Sequence, residues 1–200
     1  MSNPWDERPW AEAGNVSETE IFTAVGRASS HWELVEQAIA GLFTIVTVSK
    51  YYAPAAPTIQ AYSSVASSHN RIQMVRAALE AWLHEWSHFE FAAQVQAVLN
   101  ECGGWAGRRN DIAHGVADRY LDEFRKGWFL VPGLYNIKTR PLGKKAAYRY
   151  NAAIIDSFSE RFMALHNRLH EMTSVMGEWH RIAASERERQ KIEQPKQAQR

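Results

Sequence analysis

Cysteine is almost missing from this chain: Cys102 stands alone among 200 residues, which excludes an intrachain disulfide. Long apolar runs are missing too. The longest, Ala38 to Val48 (AIAGLFTIVTV), falls well short of the roughly 20 residues a membrane-spanning helix needs, so it is expected to be buried helix, with no membrane partner. An excess of charge of either sign is also absent. With 23 Lys and Arg against 22 Asp and Glu, the net charge of +1 gives no global pull toward nucleic acid, and any such binding must rest on a local cluster. The opening residues, MSNPWDERPW, lack the basic-then-apolar order of a secretory signal, and with the lone cysteine they point to a reducing, cytoplasmic location. Alternating strand patterns are not found either, which argues against a sheet-rich fold.

What the chain does have is helical stripes. Ser17 and Glu20 form an S-x-x-E capping box, followed by Ile21, Val25, Ala28, Trp32, Val35, Ile39, Leu42 and Val46 at helical spacing. This helix is expected to run to about Lys50, because Pro54 and Pro57 interrupt the chain beyond it. A second helix is predicted from near Thr58, carrying Tyr62, Val65, His69, Ile72, Val75, Leu79 and Leu83. A further S-x-x-E box at Ser87 and Glu90 implies a break between Leu83 and Ser87. The third stripe is Phe91, Val95, Val98, Cys102, Trp105, Arg109, Ile112 and Val116. An irregular stretch from Gly127 to Gly143 then precedes a fourth helix carrying Tyr148, Ala152, Ile155, Phe158, Phe162, Leu165, Leu169, Met172, Met176 and Trp179. At 46% apolar content the chain supports one core. The fold expected is an all-α antiparallel four-helix bundle with a long connection before the last helix: residues 1–16 as an N-terminal arm, 17–184 as the bundle and 185–200 as a polar tail.

One stripe position is an arginine. Burying an unpaired charge costs several kcal/mol, so Arg109 either snorkels to water at the helix end or has a use. Beside it runs a second stripe, Gly103, Gly107, Asn110 and His114. Glycines within a helix either let a backbone or ligand approach closely or break the helix. The polar set suits phosphodiester cleavage without a metal. The imidazole of His114 can act as general base or acid, while the Arg109 fork can stabilise charge on a pentacoordinate phosphorus. Asn110 can donate to a phosphate oxygen or orient the imidazole. Asp111 can pair with Arg108 or Arg109, or hold His114 charged; a surface salt bridge is the expectation. On an ideal helix Arg109 and His114 point about 140° apart and lie about 7.5 Å apart along the axis, so a two-fold dimer with facing copies meets one phosphate better than a single copy does.

The segment RRNDIAHG, Arg108 to Gly115, resembles the R-x4-6-H motif of the HEPN superfamily, matched at Arg109, Asn110 and His114, with Ile112, Ala113 and Gly115 adding an RN-x-IAHG context. The resemblance spans roughly Ser17 to Arg181. It implies a helical bundle, a homodimer that brings two motifs together, and endoribonuclease activity with neither metal nor cofactor. It further implies a toxin or antiviral-defence setting with an antitoxin or regulatory partner. The alternative within the same family is a catalytically silent module that binds RNA, a nucleotide or a protein.

Other signals compete. Arg161 and His166 repeat the motif's spacing, but Phe162 stands where a polar residue belongs. His84, Glu85 and His88 spell the H-E-x-x-H of zinc peptidases; the helix break at Ser87 would separate the two histidines, and no third ligand follows at a usual spacing, so no metal site is expected. From Phe124 to Tyr150 the chain carries Arg125, Lys126, Lys138, Arg140, Lys144, Lys145 and Arg149 with no acidic residue, interleaved with aromatics. With Arg108, these form the expected RNA-binding set, charge holding the backbone and rings stacking on bases. The other reading is a solvated loop whose aromatics cover the bundle.

Overall fold

The computed structural model describes residues 3–47, 55–85, 91–122, 125–133 and 146–197. Among these the chain is mostly helical, with α1 (Glu18–Thr47), α2 (Ala55–Ser63), α3 (Ser68–Glu85), α4 (Ala92–Ala113) and α5 (Ala152–Gln197), and one antiparallel pair of strands, β1 (Gly115–Asp122) and β2 (Arg125–Pro132). No helix among the described residues is long and apolar enough to cross a membrane.

Helix α1 starts where its capping box predicts. The Ser17 backbone N–H donates to Glu20 Oε1 at 3.2 Å, and the Asn15 side-chain amide holds the other carboxylate oxygen at 2.6 Å. Its stripe is buried at Ile21, Ala28, Trp32, Val35, Ile39, Leu42 and Val46. The expected second helix is instead two. Serines compete with the helix for backbone hydrogen bonds, and in the stretch Ser63 to Ser68 they win: Ser67 Oγ accepts from Asn70 N–H at 3.4 Å as the cap of α3, and Arg71 Nε donates to the free carbonyl of Val65 at 2.7 Å. The break resets the helical phase, which leaves His69 exposed while Ile72, Val75 and Leu79 are buried.

A second difference lies after α4. The helix was expected to carry Val116, and the chain beyond it to be irregular. A side chain at Gly115 would meet Leu130 Cγ at 2.6 Å and the Asp111 carbonyl at 3.0 Å, and at this glycine the chain leaves the helix for β1. The strands pair from Gly115↔Pro132 to Asp122↔Arg125. On its other edge β2 meets the N-terminal arm, through paired bonds between Asn15 and Trp128 of 2.9 and 2.8 Å, and Tyr150, through paired bonds with Leu130 of 2.8 and 2.9 Å. Gly127 has φ +117°, and a Cβ there would lie 2.6 Å from the Asn15 carbonyl oxygen, so this crossing of arm and strand requires glycine. At the far end α5 continues as helix through Gln197, where a tail from Ser185 was expected.

The chain divides into two compact units. The first comprises residues 1–37 and 96–167. Its core sets Trp32 edge-on to Phe162 at 5.0 Å and Trp105 beside Phe158 at 5.9 Å, with Trp5 of the arm 6.4 Å from Trp105. A smaller cluster of Ala11, Phe129 and Val131 ties the arm to β2. The second unit, residues 38–95 and 168–200, stacks Phe43 on Tyr62 at 5.0 Å and sets Trp82 against Trp179 at 6.0 Å.

Candidate functional site

All described residues of the RRNDIAHG segment lie in the first unit, at the end of α4. The buried arginine of the stripe is Arg108, 5% exposed, whereas Arg109 is half-buried and Asn110 and His114 are exposed. Arg109 Nη1 donates to Asn110 Oδ1 at 3.2 Å. That bond uses the Asn110 oxygen as acceptor, and the amide nitrogen remains as a donor.

The reason Arg108 tolerates burial is Asp111, one turn on. Asp111 is itself 6% exposed, so it is not the surface residue expected. Arg108 Nη1 lies 3.3 Å from Asp111 Oδ2 and also donates to the Glu7 carbonyl at 3.2 Å. Arg8, from the arm, reaches both carboxylate oxygens, Nε to Oδ2 at 3.0 Å and Nη2 to Oδ1 at 3.2 Å, a fork that fixes orientation as well as charge. The Tyr150 hydroxyl donates to Oδ2 at 3.0 Å, and the Tyr148 hydroxyl donates to the Asp111 backbone carbonyl at 2.8 Å, satisfying one of the orphan acceptors at a helix C-terminus. Asp111 therefore anchors the motif from within, and does not orient His114.

Burial pushes the phenols of Tyr148 and Tyr150 above their ordinary range, and the negative charge of Asp111 pushes them further in the same direction. A raised folded-state pKa means that both stay protonated where unfolded phenols ionise. The stabilisation is full below about pH 10 and is lost as pH rises through the folded values. Thermal unfolding temperature is accordingly expected to fall steeply above about pH 10, and to fall less steeply in a Tyr148→Phe, Tyr150→Phe variant. Equal slopes in a melting series across that range would contradict this assignment.

His114 closes α4, its N–H bonded to the Asn110 carbonyl at 3.1 Å, and its own carbonyl would be 3.6 Å from a Cβ at Gly133, just past β2. The imidazole thus sits at the junction of helix and hairpin. The glycine stripe turns outward: Gly103 is exposed and a Cβ at Gly107 would meet nothing within 4 Å. The glycine that admits a close neighbour is Gly104, against the ring of Trp5.

The expected RNA-binding set separates. Arg108 is committed to Asp111. Arg149 is 3% exposed, donates from Nε to the Ala11 carbonyl at 2.7 Å and lies over the rings of Trp10 and Phe129 at 4.7 Å each. Lys126 is exposed on β2, and Arg125 stands at the start of that strand. Lys138, Arg140, Lys144 and Lys145 lie outside the described residues, as do His88 and the Ser87–Glu90 box. His84 is exposed in the last turn of α3. His166, of the second motif match, turns Nδ1 to the Leu34 carbonyl at 3.1 Å, a structural contact between α5 and α1. Sequence reasoning did not single out Arg8, Tyr148 or Tyr150 for this site, because nothing local in the sequence joins them to Asp111. No family model, curated protein or solved structure matches this chain.

Proposed function

We propose that this chain is a metal-independent endoribonuclease of HEPN type, acting in the cytoplasm as a homodimer in a toxin or antiviral role. The observation that carries the reading is the division between neighbouring arginines: Arg108 is committed inward to Asp111, while Arg109, Asn110 and His114 are left with outward-facing chemistry on an anchored helix end. Anchoring matters because electrostatic stabilisation of a transition state depends on groups already held in place. In the reaction the ribose 2′-oxygen bonds to phosphorus as its proton leaves, the bond from phosphorus to the 5′-oxygen breaks, and that oxygen takes a proton. His114 moves one of these protons. Arg109, from the facing copy, and the Asn110 amide hold the phosphoryl oxygens.

The test is incubation of purified protein with mixed single-stranded RNA in EDTA. Fragments ending in 2′,3′-cyclic phosphate and 5′-hydroxyl are expected. Cleavage that stops in EDTA, or leaves 5′-phosphate ends, would refute the mechanism. RNA binding without any cutting would assign the chain to the catalytically silent class.

A further inference from the structure

We infer that the outer face of the β1–β2 hairpin is a binding platform for single-stranded RNA, with Trp128 stacking a base and Arg119 and Lys126 holding the flanking phosphates. In an antiparallel pair successive side chains alternate between faces, and residues directly opposite share one. The register sets Arg119 opposite Trp128 and Leu121 opposite Lys126, so these four occupy one face. The other face, with Tyr120, Phe129 and Val131, is the one packed against Ala11 and Ile154. Next to α4 the outer face is closed by buried Leu130; toward the hairpin turn it opens, with Arg119 and Lys126 exposed and Leu121 69% exposed.

Three features of this face point to a nucleic acid strand. Trp5, Trp32, Trp82, Trp105 and Trp179 pack on other rings and Trp10 lies under Arg149, whereas half-buried Trp128 has no ring or cation contact among the described residues. Arg119 and Lys126 likewise form no ion pair among the described residues. Asp118 alternates to the opposite face, which leaves this one cationic. An aromatic ring flanked by unpaired cations is the arrangement that grips unpaired bases without reading sequence. At roughly 3.3 Å per residue, Arg119 stands about 16 Å along the strand from His114, so a chain held here runs on toward the proposed cutting site. The inference rests on RNA being the substrate, but not on the cleavage chemistry.

Binding is therefore measured in the His114→Ala background, by fluorescence anisotropy with a labelled oligouridylate of about twelve nucleotides, a length within the usual site range. Trp128→Leu, which keeps apolar volume without a stacking ring, is expected to weaken binding at least about fivefold. Arg119→Ala with Lys126→Ala is expected to flatten the dependence of log affinity on log salt by about 1.4, about 0.7 for each phosphate no longer neutralised. Both sites of this pair are exposed, so that result holds even if Trp128→Leu folds poorly. A duplex of the same length is expected to be insensitive to Trp128→Leu. Unchanged affinity and salt slope in these variants would overturn the platform, even if the native protein cuts RNA. Loss of binding in the variants with no cutting by the native protein would instead remove the nuclease reading and leave the platform standing. A change in sizing profile with no change in RNA affinity would make the face a protein contact and overturn the inference.

Discussion

Replacing His114 with alanine is expected to lower the RNA-cleavage rate at least about a hundredfold by removing the proton carrier, and Arg109→Ala to do the same by removing the phosphate clamp. Neither change should unfold the protein, since His114 is exposed and Arg109 is half-buried and bonded to its neighbour Asn110. Mixed dimers sharpen the test. One chain with Arg109→Ala paired with one carrying His114→Ala regenerates a single intact cross-subunit site, so activity should return on mixing. Pairs contained within one chain would stay inactive. Heterodimers of each variant with the native chain, run beside a sizing profile, identify the case in which all four residues are needed at once. Full activity in both single-variant homodimers would end the site assignment.

Asp111→Ala should produce the largest loss of stability, about 3–5 kcal/mol, because it strands buried Arg108 without its counter-ion and takes the acceptor from Tyr150. Arg8→Ala should cost far less, about 1 kcal/mol or below, since Arg8 is 37% exposed and the remaining pair keeps its charge balance. Burial next to Asp111 raises no difficulty for Arg8 itself: the hydrogen bond to that carboxylate holds its guanidinium above the ordinary value, outweighing the opposing effect of burial. Urea midpoints for the two variants decide the matter. A loss under about 1 kcal/mol for Asp111→Ala would mean that the cluster is not what holds α4's end.

The helices were legible because their information is local. Stripes at a period near 3.6 identify a buried face without reference to what covers it, and the stripe from Ile21 to Val46, apart from half-buried Val25, and that from Ile155 to Leu169 are buried accordingly. The strands were not legible. In β2 the run Phe129, Leu130 and Val131 is buried on both faces, so no alternation marks it, and the edge away from β1 is completed by Asn15 and Tyr150 from distant parts of the chain. The motif residues themselves stood out as a short polar set. Which of two adjacent arginines points inward did not, because both lie within the angular spread of one apolar stripe. What decides it is Asp111, whose carboxylate meets Arg8 103 residues away and whose backbone carbonyl accepts from a tyrosine 37 residues away.

The N-terminal arm has a consequence for how the molecule is made. It is synthesised well before its partners: Ala11 bonds Arg149 and Ala13 bonds the Asn151 amide, each 138 residues later in the chain. At typical synthesis rates of about 5–20 residues per second, the arm must wait on the order of ten seconds for those partners. Contacts so distant along the chain also form slowly once both ends exist, because closing the loop precedes any reward from it. The helices of the growing chain can form earlier, but Asp111 at the end of α4 has all of its distant partners, Arg8, Tyr148 and Tyr150, only after translation has passed the hairpin and reached Tyr150. A nascent chain stalled before Tyr148 would carry the whole RRNDIAHG segment and Arg8, but neither of the tyrosines that hold Asp111.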